Sequence, residues 1–132
     1  MAVTRFGVSL EEDLLKALDE YVQNNSFSNR SQAIRFLIEK NLVEQKWKCD
    51  NIVAGAITLV YARAKKDIHS RLQDIQSDYR EVILSSQIFY IGDHCMEIVA
   101  VKGPSFRLTT LADNLIAIKG IQHGKLIMSK VD

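Results

Sequence analysis

Cysteine is scarce in this chain. Cys49 and Cys95 lie far apart, in no metal-pair spacing, which argues against a disulfide framework. Histidine is equally thin, with only His69, His94 and His123. No apolar run is long enough to span a bilayer and no signal-peptide pattern opens the sequence, so a cytoplasmic protein with no membrane partner is expected. Charge of either sign is not in excess: the formal net charge is +1, which leaves the partners undecided. Paired carboxylates, a nucleophile beside a base, and a glycine-rich phosphate loop are all missing. An enzyme is therefore the least expected class.

What remains is a chain of 132 residues, 47% apolar and 25% charged, of a size for one or two small domains. Its first stretch is the most informative. Arg5-Phe6-Gly7-Val8-Ser9-Leu10 alternates strictly, the period of a half-buried strand. An acidic helix start follows at Glu11-Glu12-Asp13, and Leu14, Leu15, Leu18, Tyr21 and Val22 recur at helical spacing. After the turn Asn24-Asn25-Ser26-Phe27-Ser28, either Ser28 or Asn29 can cap a second helix with the stripe Ala33, Ile34, Leu37, Ile38 and Leu42. One strand and two helices bury too little apolar surface alone. Two copies can zip their strands into an antiparallel ribbon over four helices, a shape that fits the DNA major groove.

In such a dimeric ribbon-helix-helix arm, spanning residues 1–45, the outward set is Arg5, Gly7 and Ser9. Arg5 can bond a guanine edge bidentately, Ser9 can donate or accept, and Gly7 only permits close approach. Asn29, Arg30 and Ser31 at the second helix start suit a phosphate, although an ordinary helix cap explains them as well when taken alone. Residues 1–50 carry seven basic and eight acidic side chains, so affinity has to come from a local patch and from dimerisation.

A polar stretch, Glu44 to Asn51, interrupts the apolar periodicity and reads as the boundary. Trp47 within it is either an anchor between domains or an exposed linker aromatic. Residues 52–132 then read strand (Ile52 to Tyr61), helix (Lys65 to Tyr79), strand (Val82 to Ile91), strand (Cys95 to Val101), helix (from Gly103-Pro104-Ser105) and strand (Ile121 to Met128). That is the βαββαβ order of a ferredoxin-like domain, making the whole chain α+β.

Several stretches carry a resemblance to a known family. They are Val8-Ser9-Leu10-Glu11-Glu12-Asp13-Leu14-Leu15, Asn29-Arg30-Ser31-Gln32-Ala33-Ile34-Arg35, Lys66-Asp67 with Ser70-Arg71, Cys95-Met96-Glu97-Ile98, Lys102-Gly103, and Gly120 with His123-Gly124. In order and spacing the chain resembles the nickel-responsive regulators nearly end to end. The resemblance implies a repressor that is a homotetramer built from two DNA-binding dimers around a core of four ferredoxin-like domains. It also implies nickel at the tetramer interface, held by three histidines and one cysteine in a plane, a donor set that suits Ni(II). Cys95 matches the cysteine. The two strand histidines fall on Gln87 and Phe89, or on Ile88 and Tyr90 if the alignment slips by one. The remaining histidine belongs beside Gln76, where the chain reads Gln76-Ser77-Asp78-Tyr79. Two carboxylates that hold a cation in the family are matched by Gln32 and Phe36. His94 could approach a metal near Cys95 only with a bend, since adjacent strand residues point to opposite faces.

The leading expectation is thus a regulator binding a two-part, palindromic operator in double-stranded DNA, with nickel dependence lost or altered. Alternatives stay open. A small organic effector could sit at the interface, with Ser86, Gln87, Phe89 and Glu97 as its wall. Another metal could use Cys95, His94, Tyr90 or Glu97, or binding could be constitutive, with Cys95 a buried small hydrophobe. An antitoxin-like DNA- and partner-binding protein is the remaining class.

Overall fold

The computed structural model describes residues 2–131, which fall into two compact units, Met1–Asn41 and Leu42–Asp132. In the first unit, residues 3–11 have no regular secondary structure, and helices α1 (Glu12–Asn24) and α2 (Arg30–Lys48) follow; the last turns of α2 belong to the second unit. Glu12 and Asp13 sit in the first turn of α1, where the helix dipole favours negative charge. Its end is closed by Asn25, whose backbone N–H and side-chain amide both donate to the Tyr21 carbonyl, and Ser26 then adopts a left-handed φ of 57°. Asn29 caps α2: its Oδ1 accepts from the Gln32 N–H at 2.9 Å. Phe27 lies between Tyr21 and Phe36, with ring centroids 5.5 and 5.4 Å apart, and is the partner that Phe36 finds within this unit.

Helix α2 runs past the expected boundary. Glu44, Gln45 and Lys48 face solvent, while Val43 and Trp47, four residues apart, turn the same face inward. Trp47 is therefore a core residue of the second unit. Its indole N–H donates to the Ser129 carbonyl at 2.8 Å, and the Ser105 hydroxyl donates to the Trp47 carbonyl at 2.7 Å. The chain then leaves the helix through Asp50, whose left-handed φ of 52° lets its carboxylate accept from the Phe106 N–H at the start of the fourth helix.

The rest of the second unit follows the expected order: β1 (Ile52–Ala62), α3 (Lys66–Ser77), a 3-10 turn at Arg80–Val82, β2 (Ile83–Ile91), β3 (His94–Pro104), α4 (Ser105–Ile116) and β4 (Ile121–Ser129). The strands form one antiparallel sheet in the order β2-β3-β1-β4. Both helices cover the same face. Val53, Ile57 and Leu59 of β1 and Val99 and Val101 of β3 pack there against Ile68 and Leu72 of α3 and Leu108, Leu111 and Leu115 of α4, all fully buried. The alternate residues, Ala54, Ala56, Thr58 and Val60 with Met96, Ile98 and Ala100, lie on the uncovered face and are half-buried.

Candidate nucleic-acid interface and ligand site

In the arm, the strictly alternating segment has no strand to pair with in a single copy. Phe6, Val8 and Leu10 are 73%, 59% and 44% exposed, and Ala33 is the only buried residue among those described in the first unit. Arg5, Gly7 and Ser9 are also exposed. At the start of α2, Asn29 is committed to the cap, Ser31 is exposed, and Arg30 is already engaged. Its guanidinium donates through two nitrogens to the two oxygens of Asp19, at 2.7 and 2.9 Å, joining α1 to α2. This hydrogen bond, with the charge behind it, holds the Asp19 carboxyl below the usual carboxylate range and pushes the Arg30 guanidinium up. Gln32 is also spoken for, since its carbonyl oxygen accepts from the backbone and hydroxyl of Ser28.

The second unit has its polar chemistry at one end of the sheet. Glu97, fully buried on β3, accepts three hydrogen bonds: from the Tyr61 hydroxyl at 3.2 Å, the Gln76 amide at 2.6 Å and the Ser86 hydroxyl at 3.1 Å. Burial, reinforced by the Glu97 charge, raises the Tyr61 hydroxyl far above the ordinary phenol value, so it remains a donor. Cys95, one strand pair along, is a buried free thiol on the same face, whereas His94 is exposed on the other face of the strand.

The register decides what surrounds Cys95. Ile91 pairs with His94 across a two-residue turn at Gly92-Asp93, so Tyr90 pairs with Cys95, Ile88 with Glu97 and Ser86 with Val99. Paired residues share a face. Gln87 and Phe89, opposite Ile98 and Met96, lie on the uncovered face. The sheet therefore does not bring Gln87 and Phe89 together with Glu97, and the residues beside Cys95 on β2 are Ile88 and Tyr90. His69 lies on α3 and His123 on the uncovered face of β4, opposite Val60.

Sequence reasoning missed one feature. Between β1 and α3 the chain reads Tyr61-Ala62-Arg63-Ala64-Lys65-Lys66, three cations within four residues, which was the available signal. These cations rim a cleft that reaches Tyr61, Ile88, Tyr90 and Cys95. A square-planar nickel site needs imidazoles around the thiolate. The groups beside Cys95 are instead phenols, an aliphatic chain and cations, with His69 the only imidazole. Among the described residues no three His, Cys, Asp or Glu side chains are grouped to hold a metal ion. The donors of this chain do not fit the three-histidine, one-cysteine set.

Comparison with known proteins points one way. The family profile described as "NikR C terminal nickel binding domain" matches residues 54–129. Full-length relatives described as "Putative nickel-responsive regulator" include one from Syntrophus aciditrophicus, 44% identical over 130 residues, covering 98% of this chain and 95% of the relative. Another, from Desulfovibrio desulfuricans, is 46% identical over 123 residues, covering 92% and 89%. A third, from Thermococcus onnurineus, is 40% identical over 131 residues, covering 98% and 95%. Two solved structures share the fold of the second unit at 15% identity. One is an uncharacterized protein from Thermotoga maritima, with a TM-score of 0.53 over 59% of this chain and 98% of that one. The other is the ACT domain of a GTP pyrophosphokinase from Chlorobium tepidum, with a TM-score of 0.51 over 58% and 100%.

Proposed function

Because this chain belongs to the nickel-responsive regulator family, we propose that it is a sequence-specific, DNA-binding transcriptional regulator whose nickel dependence has been lost or altered. The observation that carries the DNA clause is the arm. An alternating segment with its apolar side exposed, in a unit whose described residues bury only Ala33, finds a core when a second copy pairs with it. Its polar side then presents Arg5 and Ser9 to base edges, with Gly7 allowing close approach, while Asn29, Arg30 and Ser31 lie against phosphates. Paired arms joined through the second units give a homotetramer of two DNA-binding dimers, and such an assembly reads a two-part palindromic operator.

The nickel clause rests on the surroundings of Cys95. Ile88, Tyr90 and Tyr61 contribute no imidazole, and the cations of the cleft oppose a dication. The antitoxin-like alternative has less support, since the second unit is an ordered two-layer domain rather than a short tail.

The test is fluorescence anisotropy of chelator-stripped protein on the DNA upstream of its own gene, with and without nickel. One salt concentration is kept throughout, because affinity for DNA depends on it. Tight binding that nickel leaves unchanged is the expected result. Binding that appears only with nickel overturns the nickel clause, and no binding in either condition overturns the regulator reading.

A further inference from the structure

The turn from β1 into α3 sets Arg63, Lys65 and Lys66, with His69 one turn into the helix, around a cleft of about 350 Å³. That volume lies near the lower end of small-molecule pockets, about 300–1,000 Å³. Its inner surface is closed by Tyr61 and Cys95, both buried, and by Ile88. Tyr90 forms one wall, and the Arg63 guanidinium stacks on its ring at 4.5 Å, which holds that cation at the mouth.

Three further observations concern charge. The residues lining the cleft include no carboxylate. Arg63, Lys65 and Lys66 take no part in the ion pairs found among the described residues, which use Arg30, Arg71 and Arg107. Finally, α3 begins at Lys66 with no side-chain cap on its first N–H groups, so its positive dipole end adds to the same field. A concavity lined by one sign of charge concentrates counter-ions. Three carboxylates stand near without lining it: Glu97 accepts from Tyr61, Gln76 and Ser86, Asp67 in the first turn of α3 pairs with Arg71, and Asp93 meets Arg63 through its backbone carbonyl.

We infer that this cleft is the binding site of a small polyanion, a polycarboxylate or a phosphate compound, held by Arg63, Lys65 and Lys66 over an aromatic and aliphatic floor. The concave shape favours a compact ligand, since a duplex backbone is met more readily by protruding side chains. The site goes beyond the regulator reading and does not depend on it, because binding is measured on the protein without DNA.

Isothermal titration calorimetry on chelator-stripped full-length protein, at constant ionic strength in chloride, tests it with citrate and pyrophosphate as probes. The expected result is saturable binding of at least one probe, one per chain. Arg63→Gln and Lys66→Gln should each weaken it tenfold or more, while the exposed control Arg80→Gln leaves it unchanged. All three side chains are exposed, and the emission of Trp47, the sole tryptophan, checks that each variant is folded. Preference between the probes separates the carboxylate source from the phosphate source. Failure of both probes to saturate at millimolar concentration overturns the proposal, as does binding that neither variant alters. Variants that weaken duplex DNA binding while neither probe binds also overturn it, and reassign these cations to the DNA backbone.

Discussion

Glu97 is a buried carboxylate whose hydrogen-bonding shell contains donors and no cation. Such a group is stable inside a protein only while its donors stay in place, since each lost bond strands a polar atom away from water. Tyr61→Phe removes one of the three and should cost about 1–2 kcal/mol. Glu97→Ala strands all three and leaves a cavity, for roughly 3–5 kcal/mol. Urea midpoints at fixed protein concentration, followed by Trp47 emission, measure both, and equal losses would contradict the network. The pH dependence has a definite sign. Folding raises the Tyr61 hydroxyl above its unfolded value, so its contribution is complete below about pH 10, where unfolded tyrosine begins to ionise, and is lost as pH climbs further. The Tyr61→Phe protein should show a shallower alkaline decline than the parent. A parallel decline would place the ionising group elsewhere.

Among the elements, the junction of α1 with α2 shows how one residue can serve two purposes. Arg30 stands where a phosphate contact is expected, yet its guanidinium is paired with Asp19. Salt dependence separates the roles. If Arg30 also meets a phosphate, Arg30→Ala weakens all DNA sequences alike and lowers the slope of log affinity against log salt by about one. Arg5→Ala instead relaxes discrimination by about 1–3 kcal/mol at one base pair. An unchanged slope in the Arg30 variant means that it only fastens α1 to α2. The order of elements in the second unit was legible because each strand and helix has its own period. The extent of α2 was not, because polar residues at 44–46 and 48 hide the Val43–Trp47 spacing that continues the buried stripe. The site was legible only in part. Cys95 and Glu97 stood out as single residues, but their neighbours are set by cross-strand register, which no local pattern encodes. The basic run at 63–66 carries no pattern of its own that distinguishes it from a solvated turn, and only the fold sets it beside Tyr61 and Cys95.

At the scale of the whole molecule, the two units differ sharply in how much they bury. The second has a continuous core from both helices and all four strands, and the first buries Ala33. Stability of the arm should therefore follow mass action. Thermal melts by far-UV circular dichroism should show an arm transition whose midpoint rises with protein concentration, separate from the one reported by Trp47 emission. A single transition, independent of concentration, would show that the arm is stable without a second copy. Chain length also has a consequence through the Gly92-Asp93 turn. Strand residues alternate faces, so for a turn of given length the number of residues between β2 and β3 sets which side of β2 shares a face with Cys95. Inserting a single residue there, with the turn kept at two residues, would slip the pairing by one and exchange the two sides of β2, bringing Gln87 and Phe89 next to Cys95 and moving Ile88 and Tyr90 away. Which amino acids accompany the thiol is thus governed by the parity of a loop, and an insertion or deletion can change the chemistry of the pocket without altering any residue that lines it.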